Sequence, residues 1–213
     1  MKYESLLALA GSQPVFETGL LLAGDVDSDD VRRQLSRWVQ AGRVIQLRRG
    51  LYTLAIPYQH TPPHPFLVAN MLQPGSYVSL QSALAYYGLI PEYVGQTMSL
   101  TNQRPARWRN QLGDFRFQHL AAHLLFGYQQ VSLTSEQNAF VALPEKALLD
   151  LVHLTPDGDN PEYLAGMRLQ NLESLDLTRL QDLAGRAGKP KWLRAAVHIA
   201  ALVVKERSLY ETV

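Results

Sequence analysis

The sequence predicts an α+β fold, in which a short helix-rich unit closed by a hairpin precedes a larger α+β unit with a mostly helical C-terminal end. Three observations lead there. Candidate helices stop at Gly24 and Gly42, and two runs rich in β-formers follow, turned at Arg48-Arg49-Gly50. Four prolines among residues 57–65 then interrupt any regular structure. Beyond them, short strand-like runs cluster in the middle and helical patterns flank them. The expected organisation is therefore 1–56, a proline-rich linker at 57–65, and 66–213.

Within the first unit, the periodicity predicts helices over 4–10, 16–23 and 28–41 and strands over 44–47 and 51–54. Three helices and a hairpin in that order make a winged helix-turn-helix. Ser28 is placed to cap the third helix, with Asp29 and Asp30 where the helix dipole favours negative charge. At 100° per residue, Val31, Leu35, Trp38 and Val39 share one face. Arg33, Ser36, Arg37 and Gln40 share the other, with Arg32 at the flank.

Charge points the same way. The net charge of +1 announces no partner, but residues 31–50 hold six arginines and no acid. Glu17, Asp25, Asp27, Asp29 and Asp30 crowd the stretch just before. Arginine pairs bidentately with guanine, glutamine with adenine, and serine or arginine with phosphate. Candidate DNA contacts are thus Ser28, Arg32, Arg33, Ser36, Arg37, Gln40 and Arg43, with Arg48 and Arg49 at the wing tip, where Gly50 supplies a positive φ. The acids at the helix start either cap it or lie near phosphates and weaken contact. A solvated basic face and a protein-docking winged helix are the competing readings.

Composition excludes several classes. Hydrophobic residues make up 46% and charged residues 18% of the 213 positions, well away from the disordered regime. Without cysteine there is no disulfide framework and no thiolate metal site. The apolar runs near the start and at 195–204 are too short for a signal peptide or a membrane span, so a cytoplasmic protein with no membrane partner is expected.

In the larger unit, helices are expected over 65–72, 80–87 and 144–153, and strands over 77–78, 97–101, 114–119, 127–133 and 139–143. Segments 162–186 and 190–210 are expected to be mostly helical. A second basic cluster, Arg104, Arg107, Arg109 and Arg116, is a candidate interaction surface, and an ordinary exposed loop is the competing reading. Ser79, Gln81, Ser82 and Tyr86, with Lys146 and Asp150, are further polar candidates.

Enzyme motifs fail one by one. The run from Asp25 to Asp30 opens like a calcium loop, but Asp30 stands where a glycine is required. Residues 183–190 lack the first glycine and the hydroxyl of a phosphate loop. The pairs His60/His64 and His119/His123 fall in proline-rich chain and at a strand end, so neither is expected to bind a metal. No cofactor and no catalytic residue is expected.

Four segments carry a family resemblance: FETGLLLAG at 16–24, VRRQLSRWVQAGRVIQLRRGLYTL at 31–54, YVSLQSALAYYGLIPE at 77–92 and LPEKALLDL at 143–151. Together they resemble the AbiEi-type antitoxins over roughly residues 5–154. The resemblance implies a type IV toxin-antitoxin pair used in antiviral defence. In such a pair the N-terminal domain is a transcriptional repressor that binds operator repeats of its own operon. The C-terminal domain counters a nucleotidyltransferase-like toxin, functionally if not physically. A non-enzymatic module whose winged helix docks a partner protein is the alternative.

Overall fold

The computed structural model describes residues 1–23, 26–92 and 94–210, excepting the side chains of 207–210. Gly24 and Asp25, which the sequence marks as a helix stop and part of an acidic run, lie outside the described residues. The fold is α+β, with nine α-helices among the described residues and two sheets.

The first unit runs α1 (Tyr3–Ala10), β1 (Phe16–Glu17), α2 (Thr18–Leu21), α3 (Ser28–Gln40), β2 (Val44–Arg48) and β3 (Leu51–Leu54). Its antiparallel sheet has the order β1-β3-β2. Residues 16–17, expected to be helical, are instead a strand. Phe16 pairs in register with Tyr52 and stacks on its ring at 5.8 Å, a contact that outweighs local helical preference. The helix that remains there is only Thr18–Leu21.

The start of α3 also differs. Asp27, not Ser28, is the cap: its carboxylate accepts the amide N–H groups of Asp29 at 2.8 Å and Asp30 at 3.3 Å. A charged acceptor at the positive end of the helix outcompetes the neutral hydroxyl one residue later. Ser28 is the first residue of the helix itself. Val31, Leu35 and Trp38 are buried with Leu6, Phe16, Leu21, Val44 and Leu54 in a small core of their own. Two residues, Arg49 and Gly50, separate β2 from β3; Gly50 alone of the two takes positive φ, 82°, which glycine adopts without strain, and the pairing shifts register between Gln46 and Arg48.

The larger unit contains α4 (Pro65–Leu72), β4 (Tyr77–Val78), α5 (Leu80–Tyr86), β5 (Thr97–Thr101), β6 (Ala106–Asn110), β7 (Gly113–His119), β8 (Tyr128–Ser132) and β9 (Asn138–Ala142). It ends with α6 (Pro144–Leu154), α7 (Pro161–Gly166), α8 (Leu177–Ala187) and α9 (Pro190–Tyr210). The six strands form a mixed sheet of order β6-β7-β5-β4-β9-β8, with β5/β7 and β4/β9 parallel. β6 is absent from the sequence reading because it is an edge strand whose alternate residues, Arg107 and Arg109, face water. The 162–186 stretch is not one helical run. Arg168 and Asn171 take positive φ, and a 3-10 turn at Leu172–Ser174 separates α7 from α8.

The proline-rich connector is pinned at both ends. Gln59 donates to the Thr53 hydroxyl at 3.0 Å and the Leu54 carbonyl at 3.2 Å. Gln137 accepts the His64 amide at 2.7 Å and donates to the Pro62 carbonyl at 2.9 Å. Val15, Leu47 and Leu51 of the first unit pack into the core of the second. None of the described helices is long and apolar enough to cross a membrane.

Candidate nucleic-acid interface

One face of α3 is committed to the core through Val31, Leu35 and Trp38, so its opposite face is the only one left for recognition. Arg32, Arg33, Ser36, Arg37 and Gln40 are all exposed there. Arg43, also exposed, follows the helix with its guanidinium 5.1 Å from the centre of the Tyr3 ring.

The arginines are less free than a stripe without acids implies. Arg32 reaches back to Asp29 at 3.1 Å and Arg33 to Asp30 at 3.9 Å. Asp30 also accepts from the Met1 amino group at 2.9 Å, and that hydrogen bond above all holds its carboxyl below the usual range. Arg37 forms no ion pair among the described residues. Exposed pairs of this kind contribute roughly 0–1 kcal/mol, so phosphate can replace either carboxylate at little cost. Asp27 therefore caps the helix, and Asp29 and Asp30 partly neutralise Arg32 and Arg33 of the second turn, leaving Arg37 of the third turn as a cation without an ion pair among the described residues.

At the hairpin, the two arginines part. Arg49 is exposed. Arg48 is turned inward: its guanidinium donates to the Met71 carbonyl at 3.2 Å and to the Arg49 carbonyl at 3.1 Å, and lies 3.7 Å from Glu17. Its side chain is 23% exposed, against 66% for Arg33. Assigning Arg48 to the wing tip is thus corrected. The larger unit offers it an otherwise open carbonyl at the end of α4, and it belongs to the contact between the two units.

The second basic cluster divides as well. Arg107 and Arg116 sit opposite each other in the β6/β7 register, and Arg109 sits opposite Asp114, so all three emerge on one sheet face. Asp114 takes a two-pronged hydrogen bond from Arg107, at 3.1 and 2.5 Å, which lowers its own pKa. Arg104 is elsewhere. It borders a cleft of 520 Å³ with Arg48, Gln103 and Trp108.

Of the remaining polar candidates, Ser79, Lys146 and Asp150 do meet, joined by Tyr77, which sequence reasoning missed. Lys146 donates to Asp150 and to the Tyr77 hydroxyl at 2.8 Å; Tyr77 and Ser79 donate to Asp150 at 3.0 and 2.8 Å. All four are buried, which pushes Lys146 down and Asp150 and Tyr77 up. With no exposed surface, the group is a structural knot. Ser82 clips two strand-end groups, donating to the Gln96 carbonyl at 3.1 Å and accepting the Met98 amide at 2.8 Å. Tyr86 is exposed, and Gln81 lines a groove. His64 caps α4, and among the described residues no three His, Asp or Glu side chains are grouped to hold a metal.

No protein-family model matches the chain. No curated protein matches it either. Among solved structures, the chain is similar to the crystal structure of the RV2827C protein from Mycobacterium tuberculosis, with a TM-score of 0.51 and 17% identity over 95% of this chain and 80% of that one. At that identity the likeness extends to the α+β fold alone.

Proposed function

We propose that residues 1–56 form a winged helix-turn-helix that binds duplex DNA through α3, and that the chain is a non-enzymatic transcriptional repressor. The observation that carries this reading is the division of α3. Arg33, Ser36, Arg37 and Gln40 face water while Val31, Leu35 and Trp38 are buried, and Arg37 has no acidic partner among the described residues. Supporting it, the order α1-β1-α2-α3-β2-β3 with sheet order β1-β3-β2 is the order of a winged helix-turn-helix, and Arg49 at the β2-β3 turn is exposed.

The segments that resemble the AbiEi-type antitoxins extend the proposal. The repressor would act as antitoxin of a type IV toxin-antitoxin pair in a bacterial cytoplasm, with the larger unit countering a nucleotidyltransferase-like toxin. The pairing of Arg32 and Arg33 with Asp29 and Asp30 favours the second reading, a winged helix that docks a protein.

Salt dependence of DNA binding by the full chain separates the two. If about four of the six arginines between residues 31 and 50 each neutralise a phosphate, log affinity falls against log salt with a slope of roughly −3.6. A chain that binds no duplex at low salt, yet co-purifies with the product of a neighbouring gene, is a docking module. Rescue of growth on co-expression with a neighbouring nucleotidyltransferase-like toxin tests the antitoxin extension separately.

A further inference from the structure

A groove on the larger unit lies apart from α3. Arg116 on β7 pairs in register with Met98 on β5 and Arg107 on β6, so these three side chains emerge on the same sheet face. Residues at the end of α6, in and after α7, and at 90, 92 and 94–96 line the groove from the other side. Between them lie two adjoining hollows, of 760 and 570 Å³, which share Gln96 and Arg116. Both volumes fall in the range of small-molecule sites, about 300–1,000 Å³.

The two ends differ in chemistry. Arg107, Gln118 and His119 line the outer hollow, while Ile90, Met98, Leu151, Tyr163 and Met167 wall the inner one alongside Gln81 and Glu92. Asp114 already neutralises Arg107. Arg116, exposed where the hollows join, has no ion pair among the described residues. The groove therefore presents a guanidinium without an ion pair beside an apolar slot edged with the Gln81 and Gln96 carboxamides and the exposed Glu92 carboxylate. The side-chain Oε1 of Gln81 is buried and has no hydrogen-bond partner among the described residues.

We propose that this groove binds a nucleoside phosphate, with the phosphate on Arg116 and the base in the slot beside Met98 and Tyr163. Guanidinium pairs bidentately with phosphate oxygens. A fatty acid would satisfy the cation and the apolar wall, but would leave the Gln81 and Gln96 amides facing an alkyl chain without partners. The edge of a base carries donors and acceptors that fill them, and a small turn of the Gln81 amide offers its free oxygen to an exocyclic amine. Inorganic phosphate would use Arg116 alone.

Isothermal titration of the full chain with adenosine and guanosine 5′-monophosphate tests this, with adenosine, inorganic phosphate and octanoate as comparisons. The expected result is that a monophosphate binds and that adenosine, phosphate and octanoate bind at least about tenfold more weakly. Arg116→Gln should lower the monophosphate affinity about tenfold or more, the loss expected for one charged hydrogen bond, with thermal melting unchanged because the side chain is exposed. Gln81→Leu should reduce affinity for the monophosphates but not for inorganic phosphate. No binding of either monophosphate at millimolar concentration overturns the proposal. So does affinity that is indifferent to Arg116→Gln, or octanoate binding as tightly as the nucleotides.

Discussion

Lys146 is paired with Asp150 one turn further along α6, and neither side chain has any exposed surface. The pair is enclosed by the rings of Trp192, Tyr77 and Phe126, whose centres lie 5.1, 5.2 and 5.7 Å from the ammonium group. Desolvation of both ions is offset only because each finds hydrogen bonds as well as its partner. Asp150→Ala leaves an uncompensated buried ammonium and should destabilise the chain by about 3–5 kcal/mol in urea unfolding. Joint replacement by Lys146→Met and Asp150→Leu leaves no buried charge and should recover part of that loss, the rest being the cost of the Tyr77 and Ser79 hydroxyls left without their acceptor. Equal losses in the single and double variants would contradict this account.

His64 makes stability depend on pH. Its Nδ1 accepts the Phe66 amide at 3.1 Å, which only the neutral ring can do, and burial holds its pKa below 6.5. As pH falls through about 6.5 the unfolded chain takes up the proton first, so stability declines until the lower folded pKa is passed. Burial likewise lowers His153, so the two contribute in the same direction. His64→Asn retains a capping acceptor that does not titrate. Its stability should therefore fall less between pH 7 and 5 than that of the parent chain. Parallel profiles for the two proteins would refute the assignment.

The two hairpin arginines should behave differently. Arg49→Ala removes an exposed charge and should weaken DNA binding similarly for every sequence, lowering the salt slope by about 1, with little change in melting temperature. Arg48→Ala breaks the hydrogen bond to the Met71 carbonyl between the units and should cost about 1–3 kcal/mol of stability. An Arg48 variant that lost DNA affinity but kept its stability would return this residue to the wing.

Periodicity made the regular parts legible. The face of α3, the helices α4, α6 and α9 and the central strands follow from spacing of apolar residues and from proline at the first turn. What spacing does not carry is partner choice across the chain. Phe16 is a strand residue because Tyr52 lies beside it, and Arg48 turns inward because Met71 offers a carbonyl. Asp27 takes the cap from Ser28 by charge rather than by position. Edge strand β6 has half its side chains in water and so lacks the apolar signature of a strand. Tyr77 reads in the sequence only as part of a short strand, and only the fold brings its hydroxyl to Lys146 from 69 residues away.

Gel-shift titration of the full chain with the duplex upstream of its own gene, against a scrambled duplex of equal length, tests the central claim. The α3 reading predicts a preference of about 10³ or more for the upstream sequence, and Arg37→Ala should erode it by about 1–3 kcal/mol while leaving scrambled-duplex affinity nearly intact. Equal affinity for both duplexes, or a preference indifferent to Arg37→Ala, would contradict it.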